Sequence, residues 1–227
     1  MFADPARREQ FQKYLLIAGP ILGELADLGY EVETLDDLRH QGKPWETAIP
    51  VLLRWLPKID DLDLKDSIVR GLSVPWTGNK ATAALIEEFK NYAPNRDANP
   101  WIGKQLRALS DEEIKASRAS SFAWAVGNAL SIVEVTGFEK QLIELCRNAK
   151  YGTARQMLVL GLGRFRNSDA EDAAMELLND EDVKLHAIIA LGKMKSKRAL
   201  FELERLLTDK KATIRKEARK AIIKITR

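Results

Sequence analysis

The sequence has 227 residues, of which 45% are hydrophobic and 30% are charged, a balance that excludes an intrinsically disordered chain. Its one cysteine, Cys146, excludes an intramolecular disulfide, and no apolar run reaches the roughly 18 residues that cross a bilayer. The N-terminus carries charges of both signs and no apolar core of the kind that a secretory leader has. We therefore expect one domain (residues 1–227) that is cytoplasmic and has no membrane partner.

The N-terminal part, residues 1–43, is predicted to form a less regular helical cap. Residues 5–29 have the spacing of an amphipathic helix, in which Pro20 is expected to introduce a kink or a break. Thr34 and Asp37 have the spacing of a capping box in front of a short helix. The apolar stripe of the first helix consists of Phe11, Leu15, Ala18, Leu22 and Leu25.

Residues 44–227 contain an internal repeat. Gly161–Arg164 and Ala190–Lys193 match at an offset of 29 residues, and Leu177–Asp180 matches Leu206–Asp209 at the same offset. An earlier and a later copy fall at offsets of 32 and 31 residues. Periods of this length are typical of stacked helix pairs. We therefore predict helical hairpins in which the second helix carries the more regular apolar stripe.

Three features mark the ends of these helices. Asp180 and Asp209 fall in the turns before second helices and are expected to cap them. Gly163 and Gly192 follow the apolar stripe of second helices, where glycine ends a helix or permits close packing. Two prolines and several asparagines predict an insertion loop near residues 93–116, which interrupts the stacking.

Residues 182–207 resemble the HEAT-like repeats found in phycobilin lyases. The shared pattern is a Val-basic pair, a small residue one turn later and Ala-Leu-Gly, which are present here as Val183-Lys184, Ala187 and Ala190–Gly192. The resemblance covers roughly residues 46–227. It implies an all-α fold, a right-handed α-α superhelix (HEAT-like solenoid), with second helices lining a concave face. Such repeats serve scaffolds, lyases and nucleic-acid enzymes alike.

No motif predicts catalysis, a cofactor or a metal. The sequence has no glycine-rich phosphate loop, no Cys-x-x-Cys and no His-Glu-x-x-His, and its only histidines are His40 and His186. Cys146 aligns with Leu178 and Leu207 in an apolar column, which predicts a core cysteine. We therefore expect no enzyme activity and a role in binding.

A basic column lies three residues before the small or apolar core column of the second helices. Its members are Lys65, Arg155, Lys184 and Arg215. Two interpretations are open. These cations either brace neighbouring repeats by bonding to carbonyls or aspartates, or they form a cationic track on the concave face for phosphates or acidic side chains.

The helical register also predicts the centre of a concave binding surface. Trp124 either anchors a partner or packs against the insertion loop. The full set of partner-binding residues is expected to be Trp124, Asn128, Arg155, Gln156, Lys184 and His186.

Charge is distributed unevenly along the chain. Residues 184–227 hold fourteen basic and four acidic residues, a net charge of +10, whereas the remainder holds 22 basic and 29 acidic residues, a net charge of −7. The basic end is either a solvated terminal cap or a surface for an anionic partner.

Three functions follow from these observations. The first is a non-enzymatic scaffold that binds a protein or peptide on its concave face. The second is nucleic-acid binding through the basic groove residues and the C-terminal end, including a HEAT-like DNA glycosylase. That activity needs a carboxylate near the lesion, and the only groove acid in these columns, Asp66, lies about two repeats from Trp124. The third is a bilin lyase-like role, which only the resemblance supports.

Overall fold

The computed structural model describes residues 5–42, 44–93 and 110–227, and within these ranges it contains helices and no strand. The α-helices are α1 (Pro5–Asp27), α2 (Ile49–Trp55), α3 (Leu62–Leu72), α4 (Thr82–Tyr92), α5 (Asp111–Leu130), α6 (Glu139–Arg147), α7 (Gln156–Leu162), α8 (Ser168–Glu176), α9 (Lys184–Met194), α10 (Leu200–Arg205) and α11 (Ala212–Thr226). Short 3-10 segments extend or join them at Leu35–His40, Glu46–Ala48, Leu56–Lys58, Pro75–Thr77, Ala149–Arg155, Leu177–Asn179, Lys197–Ala199 and Leu206–Thr208.

The helices pair into five hairpins within the described part of the chain. The pairs are α2/α3, α4/α5, α6/α7, α8/α9 and α10/α11, and the second helices contact one another in the order α3, α5, α7, α9 and α11. This layered arrangement is an all-α solenoid, which confirms the fold class predicted from the repeat. Each hairpin has one apolar stripe that only a neighbour can cover, so the stack is what buries the core.

Small residues set the close approach of successive second helices. A Cβ atom added to Gly192 would lie 3.0 Å from the Cα atom of Ala221, and one added to Gly163 would lie 2.9 Å from the Cβ atom of Lys193. Helix α9 continues past Gly192, whereas α7 ends immediately before Gly163. Both glycines therefore permit close packing, and only Gly163 also stands at a helix end.

Aromatic side chains make hydrogen bonds inside the N-terminal cap, inside the first hairpin and between the two, where the Trp55 Nε1–H donates to the Glu24 carboxylate at 3.1 Å. The Tyr14 hydroxyl accepts a hydrogen bond from the Leu35 N–H at 2.8 Å, and the Trp45 Nε1–H donates to the carbonyl of Gly71 at 2.9 Å. Trp76 lies edge-on against Trp45, with ring centroids 5.1 Å apart. The tryptophans of this end therefore cover the C-terminal end of α3.

Two local predictions for the cap can be compared with the structure. The capping box is confirmed, since the Asp37 carboxylate accepts from the Thr34 N–H at 2.7 Å and from its hydroxyl at 2.9 Å. Of the kink or break predicted at Pro20, the break is wrong, because α1 runs through this residue, and the kink stays a prediction. Pro20 is exposed, so its ring faces water and not a packed neighbour.

The predicted insertion near 93–116 is only partly covered by the structure. Residues 94–109 lie outside the described residues. Residues 111–116 are helical and not loop, because Ser110 caps α5: its hydroxyl accepts from the Glu113 N–H at 3.2 Å, and the Glu113 carboxylate accepts from the Ser110 N–H at 3.0 Å. This reciprocal pair starts the helix earlier than the proline-rich composition suggested.

Candidate functional site

The second helices present one side away from the core. In helical register this side comprises the positions two residues before and two residues after each buried core residue. We call this surface the second-helix face and define it by Asp66, Arg70, Trp124, Asn128, Gln156, Leu160, Leu185, Ile189, Lys216 and Lys220. In the middle of it Trp124 is 41% exposed, and the leucines and isoleucine of α7 and α9 are half-buried.

Arg155 is not on this face. Its side chain is fully buried, and its guanidinium donates to the carbonyl of Gly152 at 3.1 Å, to the carbonyl of Cys146 at 2.8 Å and to the Asp180 carboxylate at 2.7 Å. Asp180 begins the turn into the next second helix. The prediction that Arg155 contacts a partner is therefore wrong, because its charge is already used inside the stack.

The other members of the basic column also act within the stack. Lys65 forms a buried ion pair with Glu88, and Lys184 lies 3.7 Å from the Asp209 carboxylate and also pairs with Glu181. Arg215 donates to the carbonyls of residues 209 and 210 at 2.8 and 3.0 Å. With its side chain 13% exposed, Lys184 is mostly covered. The structure supports bracing over a cationic track for Lys65, Arg155 and Lys184, whereas the bonds of Arg215 lie in the turn before its own helix.

The bracing pairs have a signal in the sequence. Arg155 and Asp180 are 25 positions apart, and Lys184 and Asp209 have the same separation. The two aspartates also bond to the N–H two residues ahead, at 3.0 and 2.8 Å, so they order the turns and do not cap the helices directly. A basic residue and an aspartate that recur together at a fixed separation indicate an inter-repeat contact.

The remaining predicted residues have different surroundings. Asn128 and Gln156 are half-buried, and the Gln156 amide donates to the carbonyl of Asp182 at 3.0 Å, which ties α7 to the next turn. His186 is half-buried, its Nδ1 atom is buried without a hydrogen-bond partner in the described part of the chain, and burial lowers the pKa of its imidazole. Of the six predicted residues, Trp124 is the one that is exposed, with 41% of its surface accessible.

Three apolar residues of this face were not among the predicted site residues. Leu160, Leu185 and Ile189 occupy the same two columns as Trp124 and Asn128, on the neighbouring helices α7 and α9. Their column positions were the available signal, but apolar residues in a helix are ordinarily assigned to the core. The structure instead gives the centre of the second-helix face an apolar row across three stacked helices.

Cys146 belongs to α6, a first helix, and is not part of this face. It is fully buried, and burial raises the pKa of its thiol to about 12, although the charges of Arg155 and Arg147 act in the other direction. Since the thiolate is the reactive form, we expect labelling by a thiol reagent at neutral pH to be slow in the folded protein and fast in urea. Equal rates with and without urea would contradict the core position.

The fold defines a helical-repeat protein. Residues 139–223 match the family model of HEAT repeats. This part of the chain is therefore built of HEAT repeats, although the match does not extend to the phycobilin-lyase type. No curated protein matches the sequence. None of the helices in the described ranges has the length and apolar character needed to cross a membrane.

Proposed function

We propose that the chain is a binding module whose second-helix face holds a segment of a partner protein. The observation that carries this proposal is the apolar row. Trp124 of α5 is 41% exposed and lies in the same column as half-buried Leu185 of α9, one helical turn from the column that holds half-buried Leu160 of α7 and Ile189 of α9. An aromatic side chain beside aliphatic neighbours on a polar helical surface is typical of a protein-binding hot spot.

The helix spacing fits an extended or helical peptide that crosses the repeats. Packed helices lie about 8–10 Å apart, so the row from α5 to α9 measures about 16–20 Å. A helical peptide of about 16 residues is about 24 Å long and covers that distance. Repeat proteins bind partners in this way because no single repeat offers a sufficient surface.

The nucleic-acid alternative has less support from the same residues. A phosphate-binding groove needs cations that face solvent. Arg155 is fully buried and Lys65 is 3% exposed, and both make ion pairs inside the stack. The centre of the face is apolar, which suits protein side chains better than a sugar-phosphate backbone.

The test is a selection of random peptides of about 16 residues, displayed on phage, against the immobilised protein. We expect Trp124→Ser to weaken binding of the selected peptides by at least about 2 kcal/mol, the usual threshold of a hot-spot residue. Because the residue is 41% exposed and the rest of its surface is covered, the binding of Trp124→Ser is measured at a temperature where thermal unfolding shows the variant to be folded.

Phe201→Ser is the matched control. Phe201 is 69% exposed and belongs to α10, a first helix, so it offers a similar aromatic area on the other side of the solenoid. Peptides that bind the second-helix face should not respond to this change. Loss of binding with Phe201→Ser and retention with Trp124→Ser would contradict the proposal and move the site to the first-helix side.

A further inference from the structure

Helix α11 has a free side that is almost entirely basic. Its buried residues are Ile214, Ala218, Ala221 and Ile225, which fix the direction of the core. The opposite side of the helix, by register, carries an exposed stripe. We call this stripe the α11 basic stripe: Lys216, Arg219, Lys220, Lys224 and Arg227, with Ile223 among them.

Most of this charge is not neutralised by the protein itself. Within the described residues Lys216, Arg219 and Lys224 make no ion pair, and Lys220 pairs only with Glu217 of its own helix. Some basic residues elsewhere in the C-terminal part have acidic partners in other repeats. Arg198, for example, pairs with Glu171 at 3.0 Å and with Asp172 at 2.8 Å. The α11 basic stripe therefore concentrates the positive potential of the C-terminal end on one helix surface.

The stripe continues the apolar row. Lys216 and Lys220 occupy the positions on α11 that Leu185 and Ile189 occupy on α9, and the two helices are in direct contact. Adjacent helix axes are about 8–10 Å apart, so the lysines lie one helix spacing beyond the aliphatic side chains. Ile223 of the stripe is 42% exposed, which carries some apolar surface onto α11 as well.

We infer that the partner of the second-helix face is an acidic amphipathic segment, whose apolar side chains contact Trp124, Leu160 and Ile189 and whose carboxylates pair with Lys216 and Lys220. This inference rests on the proposed function and adds the charge and the direction of the bound segment. Its acidic part lies over α11 and its apolar part over α5 to α9. Charge complementarity of this kind fixes the register of a peptide and speeds its association.

The other end of the face would disfavour the reverse orientation. On α3, Arg70 is held by Asp66 of the same helix through an ion pair at 2.5 Å, so this cation is already neutralised. An acidic segment placed there gains little, whereas the α11 basic stripe offers three cations that make no ion pair within the described residues, Lys216, Arg219 and Lys224, beside Lys220, which pairs with Glu217. The difference between the two ends gives the bound segment one preferred direction.

The experiment uses peptides selected from the same random display library on the wild-type chain. We expect the selected sequences to be enriched in Asp and Glu together with aromatic and aliphatic residues. Lys216→Glu combined with Lys220→Glu should lower the affinity for these peptides by about tenfold or more. Raising the salt from about 0.1 to about 1 M shortens the Debye length from about 10 to about 3 Å and should remove most of this difference.

The matched control reverses the charge of two lysines on other surfaces. Lys80, in the turn before α4, and Lys140, on α6, are exposed and make no ion pair in the described part of the chain. The pair Lys80→Glu and Lys140→Glu alters the net charge by the same amount. It should leave peptide affinity within about twofold, because these two lysines belong to the hairpins of α4 and α6 and not to the α11 basic stripe.

Each outcome separates this inference from the proposed function. Selected peptides without acidic enrichment, or acidic peptides that ignore the change at Lys216 and Lys220, would overturn the inference. The proposed function would still stand if Trp124→Ser lowered the affinity for the selected peptides. A single-stranded oligonucleotide that displaces the peptides and depends on both lysines would assign the stripe to nucleic acid and overturn the inference. Failure to select any peptide above background would overturn both.

Discussion

Lys65→Met is expected to be among the most destabilising single changes in this protein. The Lys65 Nζ atom lies 2.7 and 2.6 Å from the two carboxylate oxygens of Glu88, and the two side chains are only 4% and 7% exposed. Removing the lysine leaves a carboxylate in an apolar layer between α3 and α4. The expected loss in the free energy of unfolding is about 3–5 kcal/mol, measured by urea denaturation.

Two further variants identify the cause of this loss. Lys65→Met combined with Glu88→Leu removes both charges, so most of the lost stability should return. Lys90→Met breaks the exposed pair of Lys90 and Glu87 on the same helix α4 and should cost no more than about 1 kcal/mol. If Lys65→Met cost no more than Lys90→Met, the buried pair would not be the determinant of stability that its position implies.

The neighbouring ring explains why a lysine is accommodated at this depth. The Lys65 Nζ atom lies 5.1 Å from the ring centroid of Tyr92, so the cation has an aromatic face beside it as well as the carboxylate. Tyr92 in turn packs edge-on against Phe122 of α5, with centroids 5.1 Å apart. One buried cation therefore connects three successive helices, α3, α4 and α5.

The repeat was predictable from sequence because the fold enforces it. Successive hairpins have to cover one another, so the same apolar and small residues recur at 29 to 32 positions. Gly192 against Ala221 shows why the small residue is needed, since its added Cβ would meet a backbone atom of the next helix at 3.0 Å. The order of the second helices α5, α7, α9 and α11 follows from that recurrence, whereas the insertion separates α3 from it.

The site was less predictable because the helical register fixes the direction in which a side chain points but not the group that it contacts. Three positions before the core column, a long side chain points toward the next repeat, and Arg155 reaches Asp180 there. Whether such a cation faces solvent depends on an aspartate 25 residues later and on backbone carbonyls, which no local pattern reveals. The helical register predicted correctly that Trp124 faces away from the core, because that direction depends only on the phase of the helix.

Replacement of Arg155 with methionine is the second change expected to have a large effect. The substitution keeps much of the buried apolar volume but removes the donor that three acceptors share. The carbonyls of Cys146 and Gly152 would lose this donor, and Asp180, whose side chain is 20% exposed, would lose its cation. We expect the free energy of unfolding to fall by about 3–5 kcal/mol.

Two comparison variants identify the source of this loss of stability. Arg147 pairs with Glu176 at 2.7 and 3.0 Å, but these side chains are 39% and 58% exposed, so Arg147→Met should cost no more than about 1 kcal/mol. Arg155→Lys keeps the charge but cannot donate to three separated acceptors, so it should recover only part of the loss. Because Arg155 is buried, binding of peptides to the second-helix face should persist in Arg155→Met at temperatures where the variant remains folded. A variant that kept its stability and lost peptide binding would restore Arg155 to the binding surface.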